Sequence, residues 1–186
     1  MNWMKKVAVA LVCLLPLGLQ AAKVDTLQVK SPSMNKSIEV VVVSPDVAAT
    51  KACPVIYLLH GYGGNARTWV GIKPDLSKIA DEKGIFFVCP DGKNTWYWDS
   101  PLNADVRYET FISDELVKYV DSHYKTVADR KGRAITGLSM GGHGAMWNGL
   151  RHSDVFSAAG STSGGVDIRP FPKNWEMSVQ IGEKAQ

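Results

Sequence analysis

The stretch GRAITGLSMGGHGAMWNGLR, residues 132–151, decides the reading of this chain. Its first third, 132–138, is short, apolar and β-branched in the middle, as expected of a strand buried on both faces. From Met140 to Arg151 the residues are small and helix-compatible, and the spacing predicts a helix over 140–151. Between the two lies Gly137-Leu138-Ser139-Met140-Gly141, the G-x-S-x-G pattern of a nucleophile elbow in the strand–turn–helix setting that the pattern requires. Two glycines let strand and helix approach closely around a sharp turn, which lifts the Ser139 hydroxyl clear of the sheet. The position at a helix N-terminus favours negative charge developing nearby. A tight strand-to-helix turn with Ser139 as a mere cap is the plainer alternative.

Working outward, residues 54–59 form a second continuous apolar run, ending in His60-Gly61-Tyr62-Gly63-Gly64. A glycine-rich loop in that place supplies the second backbone N–H of an oxyanion hole, the first coming from the residue after the nucleophile. The candidate donors are therefore Tyr62 and Met140, with His60 shaping the loop rather than acting as base; a simple glycine turn is the alternative. Residues 74–83 read as a helix stopped by Gly84, and 85–89 as a third buried strand. Tyr108, Phe111, Ile112, Glu115, Leu116, Tyr119 and Val120 recur at spacings of three and four, the strongest helical signal in the chain, with only Glu115 polar. Residues 155–159 give a fourth parallel strand, followed by a flexible 161–165. The β-branched runs 24–30 and 38–43, separated by Ser-Pro-Ser-Met-Asn, predict an opening hairpin. Strands alternating with helices in this way mean right-handed βαβ units: an α/β fold with a mostly parallel sheet flanked by helices, in one domain over 23–186.

The composition agrees with that architecture. Of 186 residues, 45% are hydrophobic and 21% charged, which excludes a disordered, collagenous or disulfide-dense chain. The net charge is +3, and Lys5 and Lys6 account for two of the three. A nearly neutral remainder has no electrostatic footprint for nucleic acid or an anionic membrane. Those two lysines open a secretory signal over 1–22, with an apolar stretch at 7–19 and a small-residue cleavage zone at Ala21-Ala22. The apolar stretch falls short of the ~20 residues needed to span a bilayer. An uncleaved anchor or a buried first helix is the alternative. Ala10-Leu11-Val12 ahead of Cys13 lacks the small residue that lipidation needs, so a secreted or periplasmic protein without a stable membrane anchor is expected.

Export permits disulfides, but Cys53 opens one strand and Cys89 closes its expected parallel neighbour. At about 3.3 Å per residue that leaves about 20 Å between them, beyond the ~7 Å that a disulfide tolerates. Both read as buried free thiols. Trp96, Tyr97 and Trp98 follow the third strand on the edge where α/β folds bind ligands. Trp96 and Trp98 could stack on a sugar ring or cinnamoyl group, and equally could anchor the loop into the core. Asp99 could bind a substrate hydroxyl or close an Asp-Ser-Pro turn. No histidine–carboxylate cluster has metal-ligand spacing, so neither metal nor organic cofactor is expected.

Taken together, these motifs resemble the esterase D-like branch of the α/β-hydrolases, which includes S-formylglutathione hydrolases, feruloyl and acetyl-xylan esterases and mycolyltransferases. The resemblance runs from about Ser37 to Gly165. It is carried by Leu58-Leu59-His60-Gly61-Tyr62-Gly63-Gly64, Pro90-Asp91-Gly92, Trp96-Tyr97-Trp98-Asp99-Ser100-Pro101, Tyr108-Glu109-Thr110 and Gly137 through Ala145. It implies that Ser139 is the acylated nucleophile, that Tyr62 and Met140 donate the oxyanion amides, and that the substrate is a small-molecule or polysaccharide ester. Export favours carbohydrate-linked feruloyl or acetyl esters. The triad of this fold runs Ser, then Asp or Glu, then His along the chain. Here the last histidine is His152, and Asp154, Asp167, Glu176 and Glu183 have none after them. His143 is expected in the helix beneath the elbow, and Asp167 lies too close behind the fourth strand to be the acid. The expectation is a C-terminally truncated α/β-hydrolase fold without triad acid and base, inactive or nearly so as it stands. A mycolyltransferase-type acyltransferase and a non-catalytic carbohydrate-binding remnant are the other readings; the sequence gives no sign of oligomeric state.

Overall fold

The computed structural model describes residues 22–171 and 173–182. The expected signal segment, apart from Ala22, lies outside them, as do Cys13 and Glu183.

Six strands form one sheet in the order β1-β2-β4-β3-β5-β6. Strands β1 (Lys23–Ser31) and β2 (Lys36–Ser44) make the expected antiparallel hairpin. Strand β2 then pairs antiparallel with β4 (Phe86–Pro90). From β4 onward the sheet is parallel, through β3 (Val55–Leu59), β5 (Arg133–Gly137) and β6 (Ala158–Ala159). Helices α1 (Thr68–Ile72) and α2 (Leu76–Lys83) cross from β3 to β4, and Gly84 ends α2 in the left-handed conformation at φ 63°. A longer helical stretch joins α3 (Tyr108–Thr110) and α4 (Leu116–His123), and α5 (Met140–Arg151) follows β5. A short α6 (Met177–Ile181) closes the described chain. No helix among the described residues is long and apolar enough to cross a membrane.

Strand alternation divides the core. Val40, Val42, Tyr57, Leu59 and Val88 face the layer built by α3, α4 and α5, while Val41, Val43, Leu58 and Phe87 face α2 through Leu76 and Ala80. The continuous apolar runs are thus buried on both faces, as their composition requires. Cys53 and Cys89 are both buried and free. They belong to opposite apolar layers, and burial raises the Cys89 thiol to about 12.

Two elements differ from the sequence-based expectation. The helix from Tyr108 is interrupted by a π turn over Phe111–Glu115. Glu115, the one polar residue on its apolar stripe, accepts hydrogen bonds from Ser31 Oγ (2.5 Å) and the Ser33 N–H (2.7 Å). The carboxylate ties the helix to the β1–β2 turn, which accounts for a charge at a core position. The expected strand over 155–159 shrinks to Ala158–Ala159. The backbone N–H groups of Val155 and Phe156 both turn back to the His152 carbonyl, and the Phe156 ring enters the core edge-on to Tyr57 at 5.7 Å. A residue that turns inward to pack cannot also extend the ladder.

Candidate active site

The turn between β5 and α5 is strained at its tip. Ser139 has φ 54° and ψ −118°, a sparsely populated region that costs a non-glycine residue about 1–3 kcal/mol and persists only when the surroundings impose it. They do so here through three hydrogen bonds and two glycines. Leu138 N–H donates to the Leu59 carbonyl (3.2 Å), Ser139 N–H to the Thr162 carbonyl (2.8 Å), and Thr162 N–H to the Gly137 carbonyl (2.9 Å). A Cβ on Gly141 would collide with the backbone of Leu59 and His60, and one on Gly137 with the carbonyl of Gly141. The Ser139 side chain is exposed, and among the described residues no group hydrogen-bonds its hydroxyl.

The loop after β3 lies against this tip. A Cβ on Gly61 would stand 3.3 Å from the Leu138 carbonyl oxygen and 3.5 Å from Ser139 Cβ. The loop is fastened by the Tyr97 hydroxyl donating to the His60 carbonyl (3.1 Å), the Gly63 N–H donating to Asn94 Oδ1 (2.8 Å) and Trp69 Nε1–H donating to the Leu59 carbonyl (3.0 Å). Among the described residues neither the Tyr62 nor the Met140 backbone N–H has an intramolecular acceptor. Met140 opens α5, whose first N–H groups lack helical partners by construction. Tyr62 and Ser139 line one cleft of about 160 Å3.

His60 shapes the loop. Its Nε2 accepts from the Gly92 N–H (2.9 Å), so Nδ1 carries the proton and donates to the Gly61 carbonyl (2.7 Å). The nearby Asp91 oxygen, 3.5 Å from Nε2, therefore faces a neutral ring. Burial pushes the Asp91 carboxyl up, but the ammonium of Lys93 at 2.6 Å and the Lys93 N–H at 2.9 Å outweigh it and hold the group well below the usual carboxylate range. The other histidines are engaged as well. His123 stacks on Tyr119 at the end of α4. His152 meets Glu109 at 2.9 Å, where Trp147 Nε1 and Arg151 Nε (2.7 Å each) also donate. Burial raises the Glu109 carboxyl, and these three donors more than reverse it. His143 sits in α5 beneath the elbow, as expected. None of the four is free to serve as the base.

The structure shows how the aromatic loop combines the two roles that the sequence left open. Trp96 does border the cleft. Trp98 is only 2% exposed, stacked on Trp96 at 5.8 Å and edge-on to His143 at 5.0 Å; its indole packs mainly into the core, and with Asp99 it borders a second cleft of about 310 Å3 that Ser139 does not line. Asp99 accepts the Thr110 N–H (3.0 Å) and its hydroxyl (2.5 Å) at the start of the α3–α4 stretch, so its carboxylate caps a helix. The cleft takes its exposed aromatic walls from Tyr62, Phe171 and Trp175 instead. Phe171 and Trp175 lie in an irregular segment with no periodicity to mark them. Trp175 is nonetheless placed, its carbonyl accepting from Trp96 Nε1 at 3.0 Å. Asp167 also lines the cleft, but its carboxyl is bound by Arg169 through Nε (2.8 Å) and Nη2 (2.7 Å), which holds it at about 2.

His143 gives a pH expectation. Burial lowers its pKa from 6.5, against a smaller opposing effect from the Gly165 carbonyl. The unfolded chain then binds the proton more readily, so stability is full above about pH 6.5 and declines as pH falls below it. Thermal unfolding should show a melting temperature falling from about pH 6.5 towards pH 5, and His143→Phe should remove that limb. An unchanged limb in the variant would assign it to other groups.

A family model described as "Putative esterase" matches residues 31–184. An esterase of Mycobacterium tuberculosis is 31% identical over 149 residues, covering 76% of this chain and 32% of that protein. A diacylglycerol acyltransferase/mycolyltransferase of Mycobacterium leprae is 32% identical over 158 residues, covering 77% and 44%. The chain thus spans less than half the length of these relatives. Among solved structures, a ferulic acid esterase superposes with a TM-score of 0.72 at 30% identity, over 89% of this chain and 69% of that one.

Proposed function

The chain belongs to this esterase family of the α/β-hydrolases, and from that premise we propose that it bears the nucleophile and oxyanion hole of a serine carboxyl-ester hydrolase. Ser139 Oγ attacks the ester carbonyl carbon and gives up its proton to a base. The carbonyl oxygen takes the negative charge and is held by the Tyr62 and Met140 N–H groups, a donor of this kind contributing about 3–4 kcal/mol to the transition state. Collapse expels the alcohol and leaves an acyl-Ser139 ester, which water hydrolyses to the carboxylic acid. The observation that carries this reading is the exposed, unengaged Ser139 hydroxyl at a strained tip that shares a cleft with the Tyr62 loop.

The four histidines of the sequence are committed elsewhere, so the base comes from outside these residues. A serine without one keeps its proton and reacts slowly. The substrate class is a carbohydrate-linked ester, feruloyl or acetyl, met outside the cytoplasm. The likeness to a ferulic acid esterase and the aromatic cleft walls support the former. Transfer to an acyl acceptor in place of water is a second reading, supported by the acyltransferase relative.

The test uses this chain with a fluorophosphonate and intact-mass detection. One phosphonyl adduct should form on Ser139, faster when imidazole is added as a surrogate base, and none should form in Ser139→Ala. Equal labelling of that variant, or an adduct elsewhere, would overturn the assignment.

A further inference from the structure

The ester chemistry leaves His143 unused, yet its surroundings are specific. The residue stands in the first turn of α5, its N–H donating to the Ser139 carbonyl at 3.0 Å. Its ring is 6% exposed and boxed by Trp96 (5.3 Å between centroids), Trp98 (5.0 Å) and Trp147 (6.2 Å). Nδ1 lies 2.6 Å from the Gly165 carbonyl oxygen. A carbonyl only accepts, so Nδ1 carries a proton, and burial of the ring disfavours a second one on Nε2. Nε2 is buried and has no partner among the described residues.

The Gly165 bond fastens a loop that the sequence suggested was flexible. Thr162 bridges Leu138, and its carbonyl receives the Ser139 N–H while its own N–H reaches Gly137. The loop therefore grips both sides of the elbow. Beyond the bridge it runs tight over α5: a Cβ on Gly164 would come within 2.8 Å of the His143 nitrogen. Ser163 and Gly165 then form one wall of the cleft. Among the described residues, the imidazole bond is the only hydrogen bond that ties residues 163–166 to α5.

We propose that His143 is a positioning residue: its Nδ1–H latches the Gly165 carbonyl and so fixes the loop that holds the Ser139 N–H and walls the cleft. The proposal rests on the esterase reading only in naming Ser139 as the group positioned. The rival role for His143 is to fill the tryptophan box, and two substitutions separate the roles because they preserve opposite properties. His143→Phe keeps the ring and loses the donor; His143→Asn keeps an N–H near the Nδ1 position and loses the ring.

Two readouts are needed, amide hydrogen exchange at Thr162 and Val166 and the rate of fluorophosphonate labelling at Ser139. The latch predicts that His143→Phe speeds exchange and slows labelling by about tenfold each, the scale of one lost hydrogen bond. His143→Asn should stay within about threefold of the parent in both, as partial loss of a hydrogen bond's worth allows. The opposite ranking would make His143 a filler and overturn the proposal. If the parent fails to label while the Phe variant still loses loop protection, the latch stands and the esterase reading falls. Should neither variant fold, nitrogen NMR of the parent decides: a proton on Nδ1 supports the latch, and one on Nε2 alone overturns it.

Discussion

Gly141→Ala is expected to destabilise the protein by about 3 kcal/mol, the upper range for forcing extra atoms into a packed interior. Helix propensity alone argues the other way, since alanine is favoured over glycine inside a helix by about 1 kcal/mol. The sign reverses because Gly141 sits where α5 crosses the end of β3. A methyl there meets the backbone of Leu59 and His60, which is fixed by the β3–β5 ladder and cannot swing aside as a side chain would. At roughly 2–4 °C per kcal/mol for a domain of this size, the melting temperature should fall by about 10 °C. Calorimetry or circular dichroism measures it, with Ser139→Ala as a near-neutral control at the neighbouring exposed position. A gain in stability on Gly141→Ala would mean that strand and helix do not approach closely, and the elbow geometry would fail with it.

The elbow was legible in the sequence because its physics is local. A short apolar run, two glycines at fixed spacing and a small-residue helix leave few ways to arrange the backbone, and Gly61-Tyr62-Gly63 after β3 is legible for the same reason. The parallel strands β3, β4 and β5 were equally plain, since burial on both faces demands unbroken apolar runs. What the sequence could not convey is where long-range contacts redirect a residue. The Phe156 ring is claimed by Tyr57, which shortens β6. Glu115 looked like a flaw in a helical stripe and is a tie to a turn more than 80 positions away in the chain. Ser161 through Gly165 has the composition of a mobile loop, yet Gly164 packs closely on the backbone of α5. Composition reports what a segment can do; only the partner determines what it does.

The aromatic loop poses that problem most sharply, and Trp98→Ala settles it. The sequence leaves Trp98 either to contact substrate or to anchor its loop, and its indole packs against Trp96, His143 and Trp147. Truncating a buried tryptophan costs about 3–5 kcal/mol, from lost transfer energy and the cavity left behind. That predicts a melting temperature lower by about 6–20 °C. Trp175→Ala gives the contrast. Its ring is 48% exposed, and the contact it makes with Trp96 Nε1 uses the backbone carbonyl, which survives the substitution. Its stability should therefore change by no more than about 0.5 kcal/mol, while ferulic acid binding, followed by tryptophan fluorescence or calorimetric titration, should weaken. Should Trp98→Ala instead melt like the parent and lose ligand binding, the ring would be a substrate platform after all. Its burial between two tryptophans and a histidine would then describe a closed state of the cleft, and the aromatic walls assigned to Phe171 and Trp175 would have to be reassigned with it.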